Sequence, residues 1–333
     1  MIDAAIVGLG RWGRNLVNAV QGKSSKIRFV RGVVRRPEAA AEFAGEQGFD
    51  LTADFDAMLR DDRISAVVLA TPHSLHVEQI AAAAAAGKSV FCEKPLALNR
   101  AEAERAVEAC RRAQVPLGLG HDKRFWGSMQ ELKRLAASGA LGEILHIEGH
   151  FSNESTGRYY EGWRASEDDA PGGGLTATGI HIIDMFVSLV GSVKSAHAHV
   201  VSHPPAPAPV DTLSVFYEFS NRVSGVLCGV RTTPQFYRVH VFGKDGSAEA
   251  IEATSLVLRK TDAKPQHFNF EPVATLRFEL EAFADAAAGG APYPITPQQM
   301  INGVAALEAT IRSIEQNTRI AVAGAPRIVE GIP

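Results

Sequence analysis

Gly8-Leu9-Gly10-Arg11-Trp12-Gly13 is the stretch on which the fold of this chain turns. Ahead of it stands a short apolar run, Ala4-Ala5-Ile6-Val7, and a helical pattern follows from Gly13 to Val20. A Gly-x-Gly-x-x-Gly turn between strand and helix needs its glycines for separate reasons. Gly8 permits the tight bend, Gly10 lets backbone approach a pyrophosphate, and Gly13 lets helix and strand pack closely. The helix N-terminus then offers unpaired N–H groups and positive dipole character to phosphates. A glycine-rich loop that merely connects two elements is the plainer reading. The strand–turn–helix context favours dinucleotide binding, and Gly8, Gly10, Arg11, Trp12 and Gly13 form its first set of cofactor-binding candidates.

Working outward, strand and helix alternate. Ile27 to Val34 reads as a second strand, and Pro37 opens a helix through Glu46. Asp54 to Leu59 is a short helical segment. Ala66 to Ala70 is a buried strand stopped by Thr71-Pro72. Leu75 to Ala86 is helical with Gly87 as its cap. Ser89-Val90-Phe91-Cys92 is the next strand and delivers Glu93-Lys94-Pro95. Asn99 caps a helix through Ala113, and Leu117 to Gly120 is a further strand. This βαβ rhythm predicts an α/β fold whose residues 1–121 form a Rossmann domain, a doubly wound parallel sheet. From 122 to 333 the pattern changes. A helix over Ser128–Ser138 precedes strand-like runs at 144–151, 194–201, 213–219, 224–230, 238–242, 247–251 and 256–260. Strands without long intervening helices predict a mostly antiparallel sheet. Helices are expected at 180–190, 275–288 and 296–315, with Pro204 to Pro209 as a loop.

At 333 residues the chain suits two domains. Its net charge of −3 gives nucleic acid or an acidic membrane no electrostatic handle. No apolar run reaches the length of a membrane span, and no basic leader precedes the glycine turn. Cys92, Cys110 and Cys228 are scattered, which suggests neither disulfides nor zinc and makes a reducing cytoplasm the default. His197, His199 and His203 lack acids in register, so no metal site is expected.

In open α/β sheets ligands bind beyond the carboxyl ends of the strands. An acid after the second strand would hold the ribose of NAD. Here Val34-Arg35-Arg36-Pro37 has no acid until Glu38, so Arg35 and Arg36 tilt the expectation to NADP over NAD. Thr71-Pro72, followed by His76, would pass near the nicotinamide ribose, with His76 either a contact or a helix-start residue. Lys94, with Glu93 beside it, follows the next strand. A partly buried lysine beside a cofactor loses charge stabilisation and can exchange a proton. It would act as base when an alcohol is oxidised and as acid when a carbonyl is reduced. His181 and Asp184 are three apart and share a helix face. Asp184 is a candidate to bind a substrate hydroxyl and His181 to relay the proton; a capped helix with a solvated aspartate is the plainer alternative.

The glycine turn, Ala70-Thr71-Pro72 with His76, Gly87-Lys88, Glu93-Lys94-Pro95, Ser138 to Gly142, Trp163-Arg164 and Gly172 to Asp184 together resemble the Gfo/Idh/MocA oxidoreductases. That family is named after glucose-fructose oxidoreductase, inositol dehydrogenase and a rhizopine-catabolism protein. The resemblance covers nearly the whole chain. It implies an N-terminal Rossmann domain and a C-terminal α/β domain with a large open sheet. One face of the sheet lines the substrate site, and the other often forms a homodimer or homotetramer interface. The terminal helices commonly pack back on the first domain. The resemblance also implies that Lys94 and His181 serve an NAD(P)-dependent sugar or polyol dehydrogenase. Many members carry an acid four residues before that histidine, where this chain has Ala177. Lys123 and Arg124 are candidates to hold an anionic group of the substrate. Trp163 and Arg164 are candidates to reach cofactor or substrate, with Tyr159 and Tyr160 weaker ones. Two alternatives stand beside this reading: a reductase of a non-sugar carbonyl or imine, and a dinucleotide-binding sensor without catalysis.

Overall fold

The computed structural model describes residues 1–153, 163, 166, 169, 171–172, 174–201, 212–231 and 233–322. The chain divides into two compact units. The first takes in Met1–Ala97, Ala101–Asp122 and Ala274–Met300. The second takes in Leu98–Arg100, Lys123–Val273 and Ile301–Pro333.

The elements up to residue 120 are β1 (Ile2–Val7), α1 (Arg11–Val20), β2 (Ile27–Val33), α2 (Ala41–Gln47), β3 (Asp50–Thr52), α3 (Phe55–Leu59), β4 (Ala66–Leu69), α4 (His76–Ala85), β5 (Ser89–Glu93), α5 (Arg100–Ala113) and β6 (Leu117–Gly120). The strands form one sheet in the order β3-β2-β1-β4-β5-β6, and every neighbouring pair is parallel. Residues Ala66 to Leu69 and Val90 to Cys92 are fully buried, as a sheet covered on both faces requires. The expected helix at Pro37–Glu46 divides into a 3-10 turn, Pro37–Ala40, and α2. Ala40 at φ −120° interrupts the helical geometry between them. The Asp54 carboxylate caps α3 by accepting the Ala57 N–H at 2.8 Å.

A segment remote in sequence completes this unit. The helix Thr275–Ala287 brings Phe283 to 5.6 Å from Phe91, ring to ring. Tyr293 then donates its hydroxyl to the Leu119 carbonyl at 2.8 Å. Lys26 pairs with Asp285 at 2.7 Å on the surface.

The second unit continues with a 3-10 turn at Asp122–Phe125, α6 (Gly127–Ala137), β7 (Ile144–Asn153), a π-helical turn at Leu175–Gly179, α7 (Ile180–Leu189), β8 (Val193–Val201), β9 (Thr212–Phe219), β10 (Ser224–Arg231), β11 (Phe236–Gly243), β12 (Gly246–Ile251), β13 (Ser255–Lys260) and β14 (Gln266–Asn269). After α8 (Thr275–Ala287), which belongs to the first unit, come α9 (Pro297–Gln316) and β15 (Ile320–Ala321). The nine strands order as β14-β13-β12-β11-β7-β10-β9-β8-β15. Only β7 with β10 runs parallel. Pro204 to Pro209 and His203 lie outside the described residues.

Period-two alternation gives this sheet two unlike faces. The inner face carries Ile147, Leu213, Val215, Tyr217, Phe219, Leu227, Val239 and Val241, which form one core with Ile182 and Phe186 of α7. The Tyr217 hydroxyl meets Thr310 of α9 at 2.8 Å. The outer face is charged. Arg238 pairs with Glu148 at 2.7 Å and Glu249 at 3.3 Å, and Arg259 reaches Glu249 at 3.0 Å. Phe216 on β9 stands among these polar strands with 60% of its surface exposed.

Candidate active site

At the carboxyl end of β1 the three glycines have three different surroundings. Gly8 has φ +93°, and a Cβ there would lie 2.6 Å from the Ala70 carbonyl oxygen. A Cβ on Gly13 would lie 1.9 Å from the Gly8 carbonyl oxygen, so the turn closes only with glycine at both positions. Gly10 differs: a Cβ would meet nothing within 4 Å. Protein packing does not demand glycine at Gly10. Gly10 is also the N-cap of α1, with no side-chain cap over the first amides. Bare helix amides beside open space fit the phosphates of a dinucleotide. The Gly8 N–H donates to Val33 O at 2.9 Å and the Ala70 N–H to Val7 O at 2.8 Å, which ties the ends of β2, β1 and β4 together. The strand order reverses between β1 and β4, where a doubly wound sheet opens to ligand. Arg35 and Arg36 follow β2 and are both exposed, and Glu38 lies on the next turn.

The segments after β4 and β5 are knitted to each other. Thr71 donates its hydroxyl to Gln79 Oε1 at 2.6 Å. His76 departs from the expectation of a cofactor contact. It is fully buried, with Nδ1 2.9 Å from the Pro95 carbonyl and Nε2 3.1 Å from the Thr71 carbonyl. Its ring is a strut between the Thr71-Pro72 loop and the Lys94-Pro95 segment. The Lys94–Pro95 peptide is cis, and Lys94 is half-buried.

Glu93, one residue earlier, is 6% exposed. It sits opposite Gly120 of β6, where a Cβ would come within 2.7 Å of Oε1 and 2.9 Å of the carboxyl carbon. Burial pushes the Glu93 carboxyl up to about 7, with the Asp122 charge acting in the same direction. The Lys94 charge, the Trp12 indole and the Lys94 N–H pull it partly back. Cys92 is held well above the ordinary thiol range by burial and by the charge of Glu93, so it stays protonated and unreactive.

In the second unit, Arg124 and Asp184 are 5% and 4% exposed. Arg124 donates from Nε to Asp184 Oδ2 at 2.6 Å and from Nη2 to Oδ1 at 2.7 Å. This fork occupies both carboxylate oxygens. Arg124, expected as an anchor for a substrate anion, and Asp184, expected as a hydroxyl ligand, are thus paired with each other, as a buried charge requires a partner. Gln130 secures the Arg124 backbone by donating to its carbonyl at 2.5 Å. His181 is buried in the first turn of α7, directly after the π-helical turn that holds Ala177 and Thr178. Such a turn widens the helix locally and recurs at functional sites. Ala177 itself is exposed. Lys123 lies 4.7 Å above the Trp126 ring. Trp163 is half-buried, and its carbonyl accepts the Ser166 N–H at 3.2 Å. Arg164, Tyr159 and Tyr160 lie outside the described residues. His197 and His199 share the outer face of β8 and are exposed. No group of three or more candidate metal ligands converges among the described residues.

Two family models match the chain. One, described as an oxidoreductase family with an NAD-binding Rossmann fold, matches residues 2–121. The other, a GFO/IDH/MocA C-terminal domain, matches residues 129–249. The chain is 28% identical over 307 residues to scyllo-inositol 2-dehydrogenase (NAD(+)) of Bacillus subtilis (strain 168), covering 87% of each. It is 28% identical over 193 residues to an uncharacterised oxidoreductase of Streptococcus pneumoniae serotype 4. There the match spans 58% of this chain and about half, 51%, of the relative. Among solved structures, levoglucosan dehydrogenase in complex with NADH and levoglucosan superposes with a TM-score of 0.85 at 22% identity. That alignment covers 97% of this chain and 99% of the other, and it bears on the fold alone.

Proposed function

Because the chain belongs to the Gfo/Idh/MocA family of oxidoreductases, with an NAD-binding Rossmann fold, we propose that it is an NAD(P)-dependent dehydrogenase. Its substrate in this proposal is a CH–OH group, or the corresponding carbonyl, of a sugar, polyol or related small molecule. The single observation that carries this reading is half-buried Lys94 at the carboxyl end of β5. It stands in the same sheet as an uncapped, glycine-lined helix N-terminus. The nicotinamide, when bound, supplies the carbon that accepts or gives the hydride. Lys94 takes the hydroxyl proton on Nζ during oxidation and returns it during reduction. His181 is the second proton carrier in this reading, and Asp184 is a positioning group held by Arg124. The Bacillus relative is named for an inositol, which supports a polyhydroxylated substrate.

The test is oxidation of a panel that includes scyllo-inositol and levoglucosan, in wild type and Lys94→Ala. Removing a general base costs about 10²–10⁴-fold in rate, so Lys94→Ala loses turnover while dinucleotide affinity stays largely intact. Unchanged turnover refutes the assignment.

NADP is the favoured cofactor, supported by Arg35 and Arg36 exposed beyond β2 with no acid before Glu38. Comparing KM for NADH and NADPH tests it, and a clear NADH preference overturns it. Self-association as a dimer or tetramer through the outer sheet face belongs to the same proposal, supported by Phe216 exposed on that face. Three free cysteines, none in a disulfide, suit the cytoplasm.

A further inference from the structure

Glu93 is a buried acid whose desolvation outweighs the groups that favour its ionisation. Its Oε2 accepts the Lys94 backbone N–H at 3.3 Å. Its Oε1 accepts no hydrogen bond among the described residues, although it is shielded from solvent. The backbone of Gly120 closes one side, and the space a side chain would need there is the space the carboxyl fills. The Trp12 indole, from the glycine turn, pulls the same carboxyl toward ionisation, although its Nε1 completes no hydrogen bond among the described residues. Three titratable groups act on Glu93 or are acted on by it: Lys94 with the opposite charge, Asp122 with a like charge, and the thiol of Cys92. Lys94 is the only cation among them. A desolvated carboxylate whose one nearby opposite charge is a lysine cannot ionise independently of that lysine.

We infer that Glu93 is a positioning residue that sets the charge state of Lys94. The inference rests on the proposed reading of Lys94 as the proton-transfer group for its effect on turnover. When Glu93 is ionised it stabilises the Lys94 ammonium, the form that a proton leaving a substrate hydroxyl creates and that a carbonyl reduction consumes. When Glu93 is protonated that support is gone, and the free amine becomes the easier form. The two groups therefore titrate as a linked pair. Glu93→Gln keeps the shape and deletes the charge, so Lys94 loses its proton at lower pH. The acid-side limb of the pH profile for oxidation, where the base must be free of its proton, moves down with it.

Coupling is read without substrate, on the full chain. Lysines are dimethylated with ¹³C-formaldehyde, the Lys94 signal is assigned by its absence in Lys94→Arg, and its midpoint is followed against pH. The expected result is a lower Lys94 midpoint in Glu93→Gln than in wild type; equal midpoints overturn the inference. If Glu93→Gln does not fold, the reciprocal measurement decides. In Lys94→Met with ¹³C-labelled glutamate carboxyls, the Glu93 midpoint rises above its wild-type position, and an unmoved midpoint overturns the inference. Turnover is scored separately. Coupled midpoints in a protein that oxidises nothing in the panel sink the dehydrogenase reading and support this one. Uncoupled midpoints in an active enzyme do the reverse.

Discussion

Asp184 and Arg124 show what a single side chain can decide. Removing one partner of a buried ion pair leaves a bare charge, at a cost of about 3–5 kcal/mol. Asp184→Ala is therefore expected to unfold at clearly lower denaturant than wild type, and replacing both residues together by apolar ones recovers much of the loss. A chemical-denaturation series of the two single variants and the double checks this. An additive double variant would mean the pair is not coupled. The pair was not legible in the sequence: the two residues are 60 positions apart, and a charged residue after a strand looks the same whether it holds substrate or a partner. His76 was ambiguous for a related reason, since a histidine opening a helix carries no mark of which carbonyls will surround its ring. Lys94 and the glycines could be read because local spacing fixes their place. The burial of Glu93 could not, because it depends on the missing side chain of Gly120, 27 residues on and one strand across.

Elements were legible to the degree that their own residues bury themselves. Ala4 to Val7 of β1, the whole of β4 and Val90 to Cys92 of β5 are apolar runs with near-zero exposure, and their pattern alone announces them. β3, β14 and β15 are two to four residues long, and β3 and β14 are mostly polar. They are strands because a neighbour's backbone offers them hydrogen bonds, which composition does not encode. At the junction of β1 and α1, Gly13→Ala places a methyl group 1.9 Å from the Gly8 carbonyl oxygen. The helix must move off the strand, and dinucleotide binding is expected to fall sharply in a fluorescence titration. A Kd within error of wild type would contradict this account of the turn. On β9, Phe216→Glu plants a charge where an apolar ring is exposed. If that face self-associates, light scattering at equal concentration will show a lower mass for the variant, and an unchanged mass moves the interface elsewhere.

For the molecule as a whole, Glu93 ties stability to pH. Its folded-state titration near 7 lies above the ordinary 4.5, so the folded chain keeps a proton that the unfolded chain releases. That contribution is complete below pH 4.5 and fades as pH rises through about 7. Glu93→Gln cannot lose a proton, so its melting temperature relative to wild type should climb between pH 5 and pH 8. A flat difference would mean that the carboxyl titrates like a solvated one. The sign is the reverse of a paired surface carboxylate, whose contribution grows as pH rises toward the ordinary carboxylate value and is level above it.

The first unit takes Ala274–Met300 into its fold, and that has a consequence for how the protein is made. Chains emerge from the ribosome N-terminus first, at about 5–20 residues per second. The parallel sheet is synthesised first, yet Phe283 and Tyr293, which rest on Phe91 and Leu119, leave the exit tunnel only after the strands of the second unit that lie between. While residues 121–274 are being made, one flank of the sheet around β5 and β6 waits without its covering helix. An arrest series should show the N-terminal unit gaining protease resistance only once residues to about 300 have emerged.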